Sequence, residues 1–213
     1  MHSDLKNKIE NKTAQISVIG AGYVGLPLAV AFASAGFSVC TIDNDESRVN
    51  AINLGKSYIA DISSESLKSL SPKASNGGTL TATTDYSYLA TSDCVIICVP
   101  TPVSKTKDPD VSFIINATNS ISKYVHEDML VVLESTTYPG TTEEIIVPML
   151  ENSGNGTLEI GKNIFVAFSP ERIDPNNQTW TVTDTPKVLG GITKLCTEIG
   201  LSLYTSAIQT MVP

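Results

Sequence analysis

Apolar positions along the chain follow two alternating periods. Short runs rich in β-branched residues recur at Gln15 to Ile19, Ser38 to Ile42, Thr79 to Ala82, Cys94 to Val99, Leu130 to Glu134 and Ile164 to Ala167, and each reads as a strand. Between and after them lie stretches with helical spacing, at Tyr23 to Ala35, Glu46 to Asn53, Ser64 to Leu70, Ser112 to Tyr124, Thr141 to Leu150 and Thr193 to Leu203. Strands that alternate with helices predict an α/β protein with a doubly wound parallel sheet and helices on both faces. The runs Val95 to Val99 and Leu130 to Leu133 are apolar at every position, as strands covered on both sides must be. Breakers fall at the connections: Gly36, Gly55, Ser75 to Gly78, Pro100 to Pro109 and Asn152 to Gly156. With no internal repeat and no linker rich in Pro, Gly or Ser, residues 14–213 read as one domain behind a frayed tail at 1–13.

Composition narrows the partners. Of 213 residues 41% are hydrophobic and 17% charged, enough apolar material for a sizeable core and too little charge for a disordered chain. Fourteen basic against twenty-two acidic side chains leave a net charge of -8 without a basic cluster, which argues against nucleic acid as a partner. No run reaches the roughly 20 apolar residues of a membrane span, and the polar start is unlike a signal peptide, so the expectation is a cytoplasmic protein with no membrane partner. Cys40, Cys94, Cys98 and Cys196 lie in apolar segments without disulfide density or CxxC spacing. Cys94 and Cys98, four apart on one strand face, read as core thiols rather than redox or metal groups.

The sharpest chemical signal is Gly20-Ala-Gly22-Tyr23-Val24-Gly25, directly after the first strand and directly before a helix. In a Rossmann-type turn Gly20 permits the bend, Gly22 lets the backbone approach a pyrophosphate and Gly25 lets helix and strand close up, while the helix N-terminus offers N–H groups to the anion. Asp43 closes the second strand eighteen residues after Gly25, where a carboxylate accepts the ribose hydroxyls of an adenosine and repels the extra phosphate of NADP. NAD is therefore the expected cofactor. Arg48 leaves three readings open: a 2′-phosphate contact, stacking on adenine, or a solvated helix face. Val99-Pro100-Thr101-Pro102 leaves the fourth strand, where ligands of such sheets collect; Thr101 is a candidate donor to cofactor ribose or phosphate, against the plainer reading of a stiff exit loop.

Glu134-Ser-Thr-Thr-Tyr-Pro-Gly-Thr-Thr142 follows the fifth strand and Phe168-Ser-Pro-Glu-Arg-Ile-Asp-Pro175 the sixth. Together with GAGYVGLPLA (Gly20 to Ala29), GKSYIADI (Gly55 to Ile62), CVPTP (Cys98 to Pro102) and KVLGG (Lys187 to Gly191), in this order, the sequence from about Gln15 onward resembles the UDP-glucose/GDP-mannose dehydrogenase family. The SYI, STTYPGTT and SPER forms look most like dehydrogenases of UDP-N-acetylglucosamine or UDP-N-acetylmannosamine, and Asp174-Pro175 departs from the UDP-glucose type. The resemblance implies an NAD-dependent double oxidation at the sugar C6: alcohol to aldehyde, capture by a cysteine, a second oxidation and release of the acid by water. By motif match Thr136 and Glu171 fall on the family's threonine, close to cofactor and reacting atoms, and its water-positioning glutamate, and Arg172 and Ile173 fall on positions that contact the anionic nucleotide sugar. Plainer readings stand beside these: Thr136 as a helix N-cap, Glu171 and Arg172 as a solvated surface pair.

The resemblance also implies what lies outside these 213 residues. Family members continue into a long helix bearing a lysine and an asparagine, through which they form homodimers, and then into a glycine-rich segment with the nucleophilic cysteine and an aspartate. None of those motifs is present, and Cys196 lacks glycine-rich surroundings. The chain thus reads as the NAD-binding half of a nucleotide-sugar 6-dehydrogenase that shares its UDP-sugar with a C-terminal half, and as inactive by itself. Its rivals are a truncated, non-catalytic NAD-binding or interaction module and another Rossmann oxidoreductase, the latter disfavoured by STTYPGTT and SPER.

Overall fold

The computed structural model describes residues 4–103, 109–153, 157–172 and 181–213. Its centre is a sheet of seven strands: β1 (Gln15–Ile19), β2 (Ser38–Ile42), β3 (Thr79–Thr83), β4 (Cys94–Ile97), β5 (Met129–Leu133), β6 (Ile164–Phe168) and, after the short β7 (Lys187–Val188), the edge strand β8 (Gly190–Gly191). The order across the sheet is β3-β2-β1-β4-β5-β6-β8, parallel throughout except for β8, which runs antiparallel to β6. This is the doubly wound order that reverses direction between β1 and β4, the place where such sheets bind ligands.

Period-two alternation sorts the strand side chains into two cores. Ile16, Val18, Cys94, Ile96, Leu130, Val132, Phe165 and Ala167 face one layer, while Ile19, Val95, Ile97, Met129, Val131, Leu133, Ile164 and Val166 face the other. The first layer is closed by α2 (Gly25–Ser34) and α7 (Lys194–Tyr204), the second by α5 (Ser112–Ser122) and α6 (Val147–Glu151). All residues of α2 from Gly25 to Ala33 are buried, so the helix that must meet the cofactor is clamped on every side. As the sequence predicts, Cys94 and Cys98 share one face and pack in one core; all four cysteines are buried and unpaired.

Two expectations need correction. The stretch read as a frayed tail contains α1 (Asp4–Glu10), whose Leu5 and Ile9 are fully buried and pack in the core that α7 also closes. Lys8 ties this helix down by donating to Asp93 at 2.8 Å, and the same carboxylate accepts from Gln15 N at 2.8 Å, at the start of β1. The helix expected over Thr141 to Leu150 is interrupted: its first half, Thr142–Ile146, is a wide turn in which Val147 N reaches back five residues to Thr142 O. Pro148 has no N–H to give Glu144 O, so the regular four-residue ladder cannot run through, and α6 starts at Val147 with Pro148 in its first turn.

Candidate dinucleotide site

The glycine turn is built by steric necessity. Gly20 has φ +97°, and a Cβ there would stand 2.5 Å from Cys98 O; a Cβ on Gly25 would overlap Gly20 O and reach 3.1 Å from Cys98 Cβ. Side chains at either place would pry β1 from β4 or α2 from the turn. At Gly22 a Cβ would meet nothing within 4 Å, because this glycine borders open space. Helix α2 then begins behind Val24 with no side-chain cap and no acid in its first turn, so no carboxylate of its own competes with an anion there, although Leu26 N already bonds Gly22 O at 3.1 Å and Pro27 has no N–H to give.

Asp43 follows β2 directly across from this turn. Its Oδ2 accepts from Ala21 N at 2.7 Å and its Oδ1 from Asp45 N at 2.9 Å, so a carboxylate only 9% exposed is aimed at the turn. Arg48, on α3 (Glu46–Asn53), reaches back to Asp43 Oδ2 at 3.4 Å and to Asp45 Oδ2 at 3.5 Å. Arg48 therefore balances the acid it was read beside, and it still lines the crevice. That crevice, about 320 Å³, is walled by Gly20, Gly22, Tyr23, Val24, Asp43 and Arg48 and by Val99 and Pro100 of the exit loop, which the sequence identifies, and by Asn44, Tyr86 and Phe113, which it does not. Tyr86 opens a short helical turn (Tyr86–Thr91) behind β3 and Phe113 lies in the first turn of α5; each looks in sequence like an ordinary amphipathic position. Thr101 is half-buried in the exit loop one residue past the lining, so the structure brings the loop but not that hydroxyl into the wall.

The second group of expected residues gathers only in part. Glu171 is half-buried, and its charge helps push up both the Cys98 thiol and the Glu134 carboxyl, which places it over the carboxyl edge beside β4 and β5. Arg172 is exposed, and Ile173, with Asp174 and Pro175, lies outside the described residues. Thr136 is exposed and caps no helix; the helical turn that follows starts at Thr142. Its neighbour Thr137 bonds Thr141 Oγ1 at 2.8 Å and, with Tyr138, Phe168, Gly190 and Ile192, borders a second cavity of about 460 Å³.

Beneath this edge lies a buried ion pair that sequence reading missed. Glu134, fully buried, takes a hydrogen bond from Lys187 Nζ at 2.8 Å, and the same ammonium donates to Pro170 O at 3.4 Å, so one lysine joins the start of the STTYPGTT loop to the SPER loop. The Tyr204 hydroxyl lies beside the same carboxylate, outside hydrogen-bonding geometry. Burial raises the Glu134 carboxyl, and Lys187 opposes that rise. Burial likewise holds the thiols of Cys40, Cys94 and Cys98 above their ordinary range, which makes them poor nucleophiles. Cys196 is also buried, receiving contacts from Thr193 Oγ1 at 3.2 Å and Val166 N at 3.4 Å.

A glycine turn that only glycine can fill, an open helix start and an acid one strand over define a dinucleotide-binding α/β domain. The chain belongs to the UDP-glucose/GDP-mannose dehydrogenase family: residues 14–208 match that family's NAD binding domain. Among curated relatives, a UDP-N-acetyl-D-mannosamine dehydrogenase of Methanococcus aeolicus is 35% identical over 207 residues, 96% of this chain and 44% of that protein. A UDP-N-acetyl-D-glucosamine 6-dehydrogenase of Pseudomonas aeruginosa is 34% identical over 193 residues, 91% of this chain and 43% of that protein. The solved NDP-N-acetyl-D-galactosaminuronic acid dehydrogenase of Methanosarcina mazei Go1 superposes with a TM-score of 0.85 at 28% identity, covering 100% of this chain and 47% of that one. The chain thus spans somewhat under half the length of the relatives it matches. NAD is the cofactor of this domain, and no helix among the described residues is long and apolar enough to cross a membrane.

Proposed function

We propose that this chain is the cofactor-holding half of an NAD-dependent nucleotide-sugar 6-dehydrogenase that oxidises the C6 alcohol of a UDP-N-acetylhexosamine to the uronic acid in the cytoplasm. The observation that carries the reading is the convergence of Gly22 and Asp43 on one crevice at the β1–β4 reversal. In it the Gly22 backbone and the first turn of α2 hold the diphosphate, and Asp43 accepts the adenosine ribose hydroxyls. Arg48 holds the Asp43 carboxylate in place from the side of α3, and Thr101 follows the stiff exit loop to the far end of the cofactor. Once bound, NAD supplies a two-electron acceptor. Glu171, on the carboxyl edge, serves to hold and orient a water, Thr136 to donate to the reacting oxygen, and Arg172 and Ile173 to receive the anionic sugar nucleotide. The names of the 34–35% identical relatives, dehydrogenases of UDP-N-acetyl-D-mannosamine and UDP-N-acetyl-D-glucosamine, support a UDP-N-acetylhexosamine as the sugar.

Because the thiols of Cys40, Cys94, Cys98 and Cys196 are all buried, the 213-residue chain is expected to bind NAD without producing NADH from UDP-sugars. Calorimetric titration with NAD and then UDP-N-acetylglucosamine tests this: one NAD per chain is expected. NAD binding with no response to any UDP-sugar, even when the rest of a family enzyme is supplied, would favour the non-catalytic module instead. Replacing Asp43 with Asn removes a charged acceptor, a loss of about 1.5–3 kcal/mol. The Asp43→Asn chain is therefore expected to bind NAD roughly ten- to a hundredfold more weakly, with its preference over NADP reduced. Unchanged affinity in the same titration would remove Asp43 from the site.

A further inference from the structure

Tyr58 lies outside every role described so far, yet it reaches the glycine turn. It belongs to the segment between α3 and α4 (Ser64–Ser69), and its hydroxyl donates to Ala21 O at 2.6 Å. The segment is fixed from both sides: Ser57 N donates to Ser64 Oγ at 3.0 Å, Ser57 Oγ to Ile59 O at 2.9 Å, and the Ile59 side chain is buried. The ring of Tyr58 is partly exposed, so its hydrogen bond, rather than its burial, distinguishes the position. Burial of the hydroxyl, with the nearby charge of Asp43 second, pushes its pKa up to about 12, and it stays a donor across the physiological range.

Two successive peptide groups of the turn are thereby pinned by two different side chains. The Gly20–Ala21 peptide gives its N–H to Asp43 Oδ2 at 2.7 Å, and the Ala21–Gly22 peptide gives its carbonyl to Tyr58. A trans peptide is planar, with its C=O and N–H on opposite sides, so fixing the Ala21 carbonyl fixes the direction of the Gly22 N–H as well. That N–H belongs to the residue bordering open space in the crevice, and glycine by itself sets little preference for its orientation. We infer that Tyr58 is a positioning residue for the cofactor diphosphate: its hydroxyl holds the Ala21–Gly22 peptide so that the Gly22 N–H is presented to the phosphate oxygens. The inference rests on the dinucleotide reading of the crevice.

Tyr58→Phe keeps the ring and removes only the hydroxyl. Dissociation constants for NAD, ADP and adenosine, measured by NMR titration on the wild-type and Y58F chains together with their melting temperatures, separate the possibilities. Loss of one well-placed hydrogen bond to the turn is expected to weaken NAD and ADP about tenfold while leaving adenosine, which Asp43 holds by its ribose, within about twofold. If Y58F lowers the melting temperature but leaves the NAD and ADP constants unchanged, or weakens adenosine by the same factor, Tyr58 is only a loop clip and the inference is overturned. Failure of the wild-type chain to bind any of the three would overturn the dinucleotide site itself, and the role of Tyr58 with it.

Discussion

Gly25→Ala is expected to destabilise the chain by about 3 kcal/mol or more and to abolish NAD binding, whereas Gly22→Ala should fold as the wild type does and still lose the cofactor. At Gly25 the added methyl would overlap the Gly20 carbonyl and crowd Cys98 Cβ, and neither partner can yield: Gly20 N is bonded to Ile42 O at 2.8 Å, and Cys98 N to Ile19 O at 2.8 Å. Overpacking between elements so constrained costs about 1–3 kcal/mol and more where backbone must move. At Gly22 the methyl meets no protein atom, so melting should shift by less than about 1 kcal/mol equivalent. The same methyl stands where the diphosphate approaches, and NAD affinity should fall at least tenfold. Chemical denaturation and calorimetry on both variants check the pair, and equal stability losses at the two positions would show that the glycines serve the fold alone.

Lys187→Met is expected to be the most damaging substitution away from the turn. It leaves Glu134 as a buried carboxylate without its cation, and removing one partner of such a pair costs about 3–5 kcal/mol. The pH dependence has a definite sign. Desolvation already raises the Glu134 carboxyl in the folded chain, and without Lys187 it rises further, so the folded variant prefers the protonated acid. A raised carboxyl pKa contributes stability that is present below the unfolded value, near 4.3, and lost as pH rises through the folded value. The deficit of Lys187→Met relative to wild type should therefore grow between pH 5 and pH 8, measured by urea denaturation. A deficit that is flat or shrinks over that range would mean that Glu134 stays neutral in the native chain. Because Lys187 also holds Pro170 O, faster amide exchange in residues 169–172 should accompany the loss.

Local chemistry explains what could be read without the fold. The strands announced themselves because β4, β5 and β6 are covered on both faces and carry unbroken apolar runs, and the glycine turn because its strand, helix and answering acid are all within 30 residues in sequence. Helix α1 escaped notice because only Leu5 and Ile9 face inward, one helical turn apart within a charged stretch, and two apolar positions do not make a period. The break at Thr142–Ile146 has one signal in the sequence, Pro148, which takes away the N–H that Glu144 O would receive four residues upstream. The site's second group was harder. Lys187 and Glu134 are 53 residues apart, and only the parallel order β5-β6 and the return through β7 and β8 bring them together. A glutamate ending the run Leu-Val-Val-Leu-Glu was the one available hint, since a charge buried at a strand's end calls for a partner. Tyr86 and Phe113 carried no hint at all, because lining a crevice and packing a core use the same residue types.

The central claim is that the turn at Gly20 to Gly25 and the carboxylate of Asp43 together grip one NAD. A crystal structure of the chain soaked with NAD tests it most directly. The diphosphate is expected against the Gly22 backbone at the start of α2, with both adenosine ribose hydroxyls on Asp43. Density for the cofactor elsewhere on the molecule, or a ribose out of reach of Asp43, would contradict the account.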